Sequence, residues 1–163
     1  MSRQVAELET VLVQLIAEHE KLLRSLESHQ AAMKKLDMKA MDETGRLQEV
    51  TRLRITGLET KRKSLVEQVA ASLRLPGPPT LLKLAEALPL FKTRLLALRD
   101  QLRARVAQVA SRAQVAGRLA GAVLGHLNTA VRLLAGAVEQ AGLYTKHGVP
   151  QVSARIGVME AVG

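Results

Sequence analysis

Apolar residues recur at alternating spacings of three and four along the N-terminal part of the chain. Nine of the eleven positions on this line are apolar, and the line consists of Val5, Leu8, Leu12, Leu15, His19, Leu22, Leu26, His29, Met33, Leu36 and Ala40. A repeat near 3.5 residues predicts a long helix with a narrow apolar seam, which is stable only against another helix. The chain is therefore expected to be an assembly of packed helices.

His19 and His29 are the two exceptions on this line. They are ten residues apart, so one helix cannot offer both to the same metal ion. We interpret them as seam histidines that are hydrogen-bonded or lie at the edge of the seam.

The composition agrees with helices and leaves little room for catalysis. Hydrophobic residues make up 47% of the chain but aromatic residues only 1%, and there is no cysteine. Cysteine-based nucleophiles, zinc-cysteine sites and disulfide scaffolds are thereby excluded. The sequence also has no strand-turn-helix phosphate loop, no Gly-x-Ser-x-Gly elbow and no His-x-x-x-His pair. The prediction is a protein that is not an enzyme and uses no cofactor and no metal.

A helix restart is predicted at Asp37. Its side chain can cap the following backbone N–H groups, while Leu36 and Met41 take the positions of a hydrophobic staple. Residues 1–75 are therefore expected to form an antiparallel hairpin whose two seams bury each other. The inward positions of the second helix are predicted to be Leu47, Val50, Leu58, Leu65, Val69 and Leu73. The alternative is one unbroken helix of about 70 residues, roughly 105 Å long.

A proline-rich segment separates this hairpin from a third long helix. Residues 76–89 are expected to hold a break and a short helix capped by Thr80, and residues 90–142 a long helix. Its heptad line from Leu95 to Ala141 is apolar at thirteen of fourteen positions. Residues 143–163 are expected to be a flexible tail. The predicted fold class is all-α, an antiparallel long-helix hairpin plus a third long helix with coiled-coil-like packing.

The apolar stripe of this third helix widens between Leu119 and Val138. A helix that is apolar around most of its circumference must be buried on more than one side. The cover could be the hairpin, a second copy or a client protein. A membrane span is disfavoured because Arg118, His126 and Arg132 would be costly at a bilayer centre.

Positive charge is concentrated in the second half of the chain. The net charge is +9, of which residues 76–163 carry +7. The prominent members of the row, a candidate docking face, are Arg94, Arg99, Arg103, Arg105 and Arg112. Such a row favours an acidic partner, a phosphate backbone or an anionic membrane surface, and the alternative is a solvated helix face. With Phe91 and Tyr144 as the only aromatic residues, no specific nucleic-acid site is predicted.

The order of several segments along the chain can be compared with that in known protein families. These segments are the first seam with His19-Glu20-Lys21-Leu22-Leu23, the restart at Leu36-Asp37-Met38-Lys39-Ala40-Met41, the stretch from Leu58 to Ala70, the start Thr80-Leu81, Asn128 on the long helix, and Tyr144 followed by Gly148. From Val5 to Gly148 the chain resembles the FlgN-type flagellar export chaperones, small all-helical cytoplasmic proteins of flagellar type III secretion.

The resemblance implies partners and a binding region. The partners would be hook-filament junction proteins, held through their C-terminal helical segments and delivered to the flagellar export gate. The binding residues would be Leu119, Val123, Leu127, Asn128, Val131, Leu134, Val138 and Tyr144. The opening residues MSRQVAELET lack the apolar core of a signal peptide, so a cytoplasmic location is expected. The alternative function is a structural coiled-coil protein that forms a homodimer through its last helix.

Overall fold

The computed structural model describes residues 2–140, with side chains described as far as residue 137. It contains four helices: α1 (Ser2–Lys35), α2 (Met38–Ser72), α3 (Leu81–Ala87) and α4 (Lys92–Gln140). No strand occurs in this part of the chain. The predicted all-α class with packed long helices is confirmed. The chain divides into two compact units, Met1–Leu119 and Ala120–Gly163.

Two residues connect α1 to α2. Leu36 adopts a left-handed conformation, with φ of 54°, and its N–H donates to the Met33 carbonyl. The N–H of Asp37 donates to the Ala32 carbonyl at 3.0 Å, which completes a Schellman ending. The Asp37 carboxylate in turn accepts from the N–H of Ala40 at 3.0 Å, so the same residue caps α2.

The apolar core of the first unit lies where α1 begins, α2 ends and α4 begins. The α1 seam residues buried there include Val5, Leu8, Leu12 and Leu15. They pack in one cluster with Leu88, the C-cap of α3, and with residues of the other three helices, namely Leu65, Val66, Val69, Ala70, Leu81, Leu84, Ala85, Leu95 and Leu98. The short helix α3, capped by Thr80, is thus part of the core and joins the hairpin to α4.

The α1–α2 interface nearer the turn contains hydrogen-bonded polar residues. Ser25 donates from Oγ to the Thr44 carbonyl at 3.2 Å, and His29 Nδ1 lies 2.7 Å from Thr44 Oγ1. Gln48 and Thr51 of α2 are buried on the same stretch. The Thr51 hydroxyl donates within α2, to the Leu47 carbonyl at 2.7 Å, so a buried threonine here needs no partner on α1.

The inward positions predicted for α2 are therefore only partly right. Leu65 and Val69 are buried, and Leu58 and Leu73 are half-buried. The prediction is wrong for Leu47 and Val50, which are exposed. Gln48 and Thr51 are buried there instead, beside the stretch of α1 whose Ser25 and His29 bond to Thr44.

Helix α4 runs parallel to α1 within the first unit. Ion pairs join Arg94 to Glu9, Arg105 to Glu20 and Arg112 to Glu27. Each pair joins residues with the same separation in sequence, so both helices advance in the same direction. The amide of Gln30 adds a hydrogen bond to the Arg112 carbonyl at 3.1 Å.

Candidate functional site: an apolar stripe, a basic row and a groove

An exposed apolar stripe occupies the described part of the second unit. Leu127, Val131 and Leu134 follow one another at i, i+4 and i+7, so they share one face of the helix. Their exposed fractions are 46%, 63% and 66%. Leu124 lies beside them and is also exposed. Contiguous exposed apolar side chains of this kind are typical of protein interaction sites.

The other residues predicted for partner binding have different environments. Asn128 is exposed, whereas Leu119 and Val123 are half-buried. Tyr144 and the tail from residue 143 onward lie outside the described residues, and so does the side chain of Val138. Partner binding by this set stays a prediction, and its described members are mostly available at the surface.

Leu127 and Leu134 of the stripe lie on the heptad line that begins at Leu95. At its start Leu95 is completely buried, and Ala116 is buried near the end of the first unit. Leu134, on the same line, is two-thirds exposed. Positions on the same heptad line of α4 therefore range from completely buried to two-thirds exposed.

The basic row of α4 is partly occupied by contacts within the chain. The ion-pair distances are 3.3 Å from Arg94 Nε to Glu9 Oε2, 3.0 Å from Arg105 Nε to Glu20 Oε1, and 3.5 Å from Arg112 Nη2 to Glu27 Oε1. The arginines remain partly exposed in these pairs. Each such pair contributes little to stability, about 0–1 kcal/mol, but together they match the charges of the two parallel helices.

Arg99 and Arg103, the two remaining arginines of the predicted docking face, lie together at a groove. Among the residues that the structure describes, Arg99 pairs only with its neighbour Asp100, at 3.1 Å. Within residues 2–137, Arg103 has no ion-pair partner. Docking through the whole row stays a prediction. Arg99 and Arg103 are the two arginines of the row that do not pair with α1.

The groove has a volume of about 450 Å³ and an apolar floor. Its α4 wall is formed by Arg99, Leu102, Arg103, Val106, Ala107 and Ala110. Leu12 of α1 and Leu81 of α3 complete the floor, and the ion pair between Glu59 and Arg62 of α2 borders it. Val106 belongs to the predicted apolar line of α4, but it is 45% exposed because it lines this opening.

Among known protein families, the model of the FlgN family, described as FlgN protein, matches residues 1–151. The chain belongs to the FlgN family. FlgN proteins are flagellar export chaperones, so the chain is assigned to flagellum biogenesis and protein export. FlgN is a chaperone family and is not known as enzymatic. No curated protein and no solved structure is significantly similar to the chain.

The FlgN match includes all four helices, the groove and the apolar stripe. Of the helices that the structure describes, none has both the length and the apolar character that a bilayer span requires. In the same residues, no three potential metal ligands of the His, Cys, Asp or Glu type lie close enough to form a site.

The seam histidines of this FlgN chain are both hydrogen-bonded. His19 is buried, and its Nδ1 lies 2.8 Å from the Leu15 carbonyl. A carbonyl only accepts, so Nδ1 of His19 carries the proton. The Thr44 hydroxyl donates to the Ala40 carbonyl at 2.7 Å, which leaves its oxygen to accept from His29 Nδ1. The His19 bond lies within α1, whereas the His29 bond joins α1 to α2.

Sequence reasoning missed the groove and the pairing of the basic row. The groove depends on residues from all four helices, and no local spacing reveals it. The pairing had a signal that was not used: Glu9, Glu20 and Glu27 of α1 are spaced like Arg94, Arg105 and Arg112 of α4. Spacings of eleven and seven residues keep each set on one helix face, which is what a parallel pair of charged faces requires.

Proposed function

We propose that this FlgN-family chain is a cytoplasmic chaperone that binds the C-terminal helical segments of hook-filament junction proteins. Binding would keep these clients from assembling early and would deliver them to the flagellar export gate. The observation that carries the proposal is the exposed stripe of Leu124, Leu127, Val131 and Leu134. Its place on the last helix agrees with the binding region that the family resemblance implies.

The mechanism is recognition between helices. A client helix would place apolar side chains at i, i+3, i+4 and i+7 against the stripe and displace water from it. Covering four such side chains contributes roughly 1–2 kcal/mol each, at about 25 cal/mol per Å² of apolar surface. The cost of association and of ordering the client is of similar size, so reversible binding is expected. Reversibility suits a chaperone that must release its client for export.

Delivery would use the basic face of α4. In this proposal the export gate meets the row that contains Arg94, Arg99, Arg103, Arg105 and Arg112, and the positive charge of the chain steers the encounter. No nucleotide, cofactor or metal takes part in either step.

The client site is tested with two neighbouring leucines. Leu134 and Leu133 are exposed to 66% and 70%, but only Leu134 lies on the stripe. Leu134→Asp should abolish binding of the C-terminal segments of junction proteins from the same genome, measured by titration calorimetry. Leu133→Asp should bind nearly as wild type, and both variants should keep their helicity in far-ultraviolet circular dichroism. Equal affinity of Leu134→Asp and wild type for the client would refute the site.

The same stripe also supports the alternative function, a coiled-coil homodimer. In that case light scattering would give a dimer at micromolar concentration, Leu134→Asp would dissociate it, and no client segment would bind. A monomer that binds client in a stripe-dependent manner excludes this alternative.

A further inference from the structure

The groove between α2 and α4 lies entirely within the first unit. We infer that it receives an acidic amphipathic helix of a partner protein, with apolar side chains on the floor of Leu12, Leu81, Leu102 and Val106 and carboxylates beside Arg99 and Arg103. This inference goes beyond the proposed client site and does not depend on it.

The shape of the groove fits a helix of about three turns. Its α4 wall is formed by residues at i, i+3, i+4, i+7, i+8 and i+11, counted from Arg99. These positions lie on one helix face and extend over roughly 16 Å. A volume of about 450 Å³ accommodates a few aliphatic side chains. A partner helix would present them at i, i+3 or i+4, and i+7.

An apolar residue of α4 that is left uncovered, Val106, also indicates that a partner binds in the groove. Val106 follows Leu95 and Leu102 on the apolar line of α4. Leu95 is buried and Leu102 half-buried, but Val106 is 45% exposed. At this level α2 offers the ion-paired Glu59 and Arg62 to the groove instead of an apolar side chain. An inserted helix would cover Val106 and complete the packing.

The positive charge at the rim of the groove indicates that the partner helix is acidic. Arg62, Arg99 and Arg103 line the groove, against the single carboxylate of Glu59. The pair of Arg99 with Asp100 joins neighbouring residues at the surface, so Arg99 keeps most of its attraction for another carboxylate. Arg99 and Arg103 are four residues apart, one turn of α4. Carboxylates of the partner are therefore expected near one end of its bound segment.

Other occupants fit the groove less well. A phosphate backbone would leave the aliphatic floor uncovered, and it needs a longer series of cations than two arginines. In a second copy of this chain, Glu9, Glu20 and Glu27 of α1 are already paired with α4. An acidic amphipathic helix satisfies both the floor and the rim.

The test uses the full chain and a synthetic helical peptide of about 18 residues, five turns, with leucines on one face and glutamates beside them. A control peptide has glutamine in place of each glutamate. The glutamate peptide should bind at least about tenfold more tightly than the control at low salt, since rim charges govern salt-dependent association. In methyl NMR spectra, the signals of Leu102 and Val106 should shift, whereas those of Leu127 and Leu134 should not.

Matched variants locate the site. Val106 and Val115 are exposed to 45% and 47% on the same helix, but Val115 does not line the groove. Val106→Glu should abolish peptide binding, and Val115→Glu should leave the Kd unchanged. The double variant Arg99→Glu, Arg103→Glu should weaken binding at least about tenfold, while Arg118→Glu should not. Thermal melts of all variants confirm that they are folded.

Several results would contradict the inferred binding of an acidic helix in the groove. No peptide binding, equal affinity of the two peptides, or shifts confined to Leu127 and Leu134 would overturn the inference. A dimer that Val106→Glu dissociates would assign the groove to a second copy, and displacement of the peptide by duplex DNA would assign it to phosphate. Leu134→Asp, which tests the client site, should bind the peptide as wild type does, so the two proposals can fail separately.

Discussion

The Nε atom of Arg105 lies 3.0 Å from Oε1 of Glu20, although 85 positions separate the two residues in sequence. The same separation relates Arg94 to Glu9 and Arg112 to Glu27. A constant offset between paired residues is the geometric mark of two parallel helices in register. The pairs thus define how α4 lies along α1 in the first unit.

The pair between Glu20 and Arg105 should be measurable as a small coupling. Glu20→Gln and Arg105→Gln together should destabilise the chain less than the sum of the single variants, by about 0.2–1 kcal/mol, because both side chains are partly exposed. Urea unfolding of the wild type, both single variants and the double variant measures this. The coupling should shrink at high salt. Strict additivity at low salt would contradict the ion pair between Glu20 and Arg105.

Truncation to alanine should cost much more stability at Leu95 than at Leu134, although both leucines belong to α4. Leu95→Ala removes a completely buried side chain and should lower the free energy of unfolding by about 2–5 kcal/mol. Leu134→Ala removes a side chain that is two-thirds exposed and should change it by no more than about 0.5 kcal/mol. Denaturant titration compares them. If Leu134→Ala were as destabilising as Leu95→Ala, the stripe would be part of the core of the free protein.

The buried amide of Gln48 should be a weak point of the hairpin. Its Nε2 atom is buried and has no hydrogen-bond partner among the residues that the structure describes. Gln48→Met keeps the length of the side chain and removes the unpaired group, so the free energy of unfolding should rise by about 1 kcal/mol. Gln101→Met, at an exposed position of α4, is the control and should have little effect. A loss of stability in Gln48→Met would show that the amide is hydrogen-bonded in solution.

Stability should depend on pH through Glu7. Lys61 Nζ lies 2.7 Å from Glu7 Oε1, and its hydrogen bond and charge lower the pKa of Glu7 below 4.5. Between the folded pKa and 4.5, the unfolded chain binds more protons at Glu7 than the folded chain does, so stability rises with pH. The contribution is complete above 4.5 and is lost as the pH falls through the folded pKa.

Lys61→Met should therefore be less stable than wild type at neutral pH, and the difference should vanish in acid. Denaturant titrations across the pH range measure it. Lys63→Met is the control, because Lys63 is exposed and has no ion pair within the described residues. A difference between Lys61→Met and wild type that stays constant down to the lowest pH would mean that Glu7 is not the titrating partner.

The turn and the long helices could be read from local sequence because their causes are local. Asp37 caps α2 with its own side chain, three residues from the N–H it binds. Thr80 does the same for α3. The seam from Val5 to Leu26 is buried as its periodicity predicts, since any helix partner covers the same face. Such features require no knowledge of what lies opposite.

Of the candidate site, the apolar stripe could be predicted from the sequence and the groove could not. The stripe around Leu127 and Leu134 could be proposed from surplus apolar residues on one helix, and the structure adds that these side chains are exposed. The groove at Val106 could not be proposed, because Leu12, Glu59 and Leu81 reach it from other helices. A cavity is a property of the space between elements, and periodicity describes one element at a time.

The sequence by itself determined that the chain forms long helices, where α2 and α3 begin, and which face of α1 is buried. Capping and heptad periodicity act over a few residues, so their outcome is local. Only the tertiary structure decided that Gln48 and Thr51 face α1 while Leu47 and Val50 face outward, and that three arginines of α4 pair with glutamates of α1. These choices depend on which side chains of two helices meet, because an ion pair or an interhelical contact forms only where the fold brings both partners together.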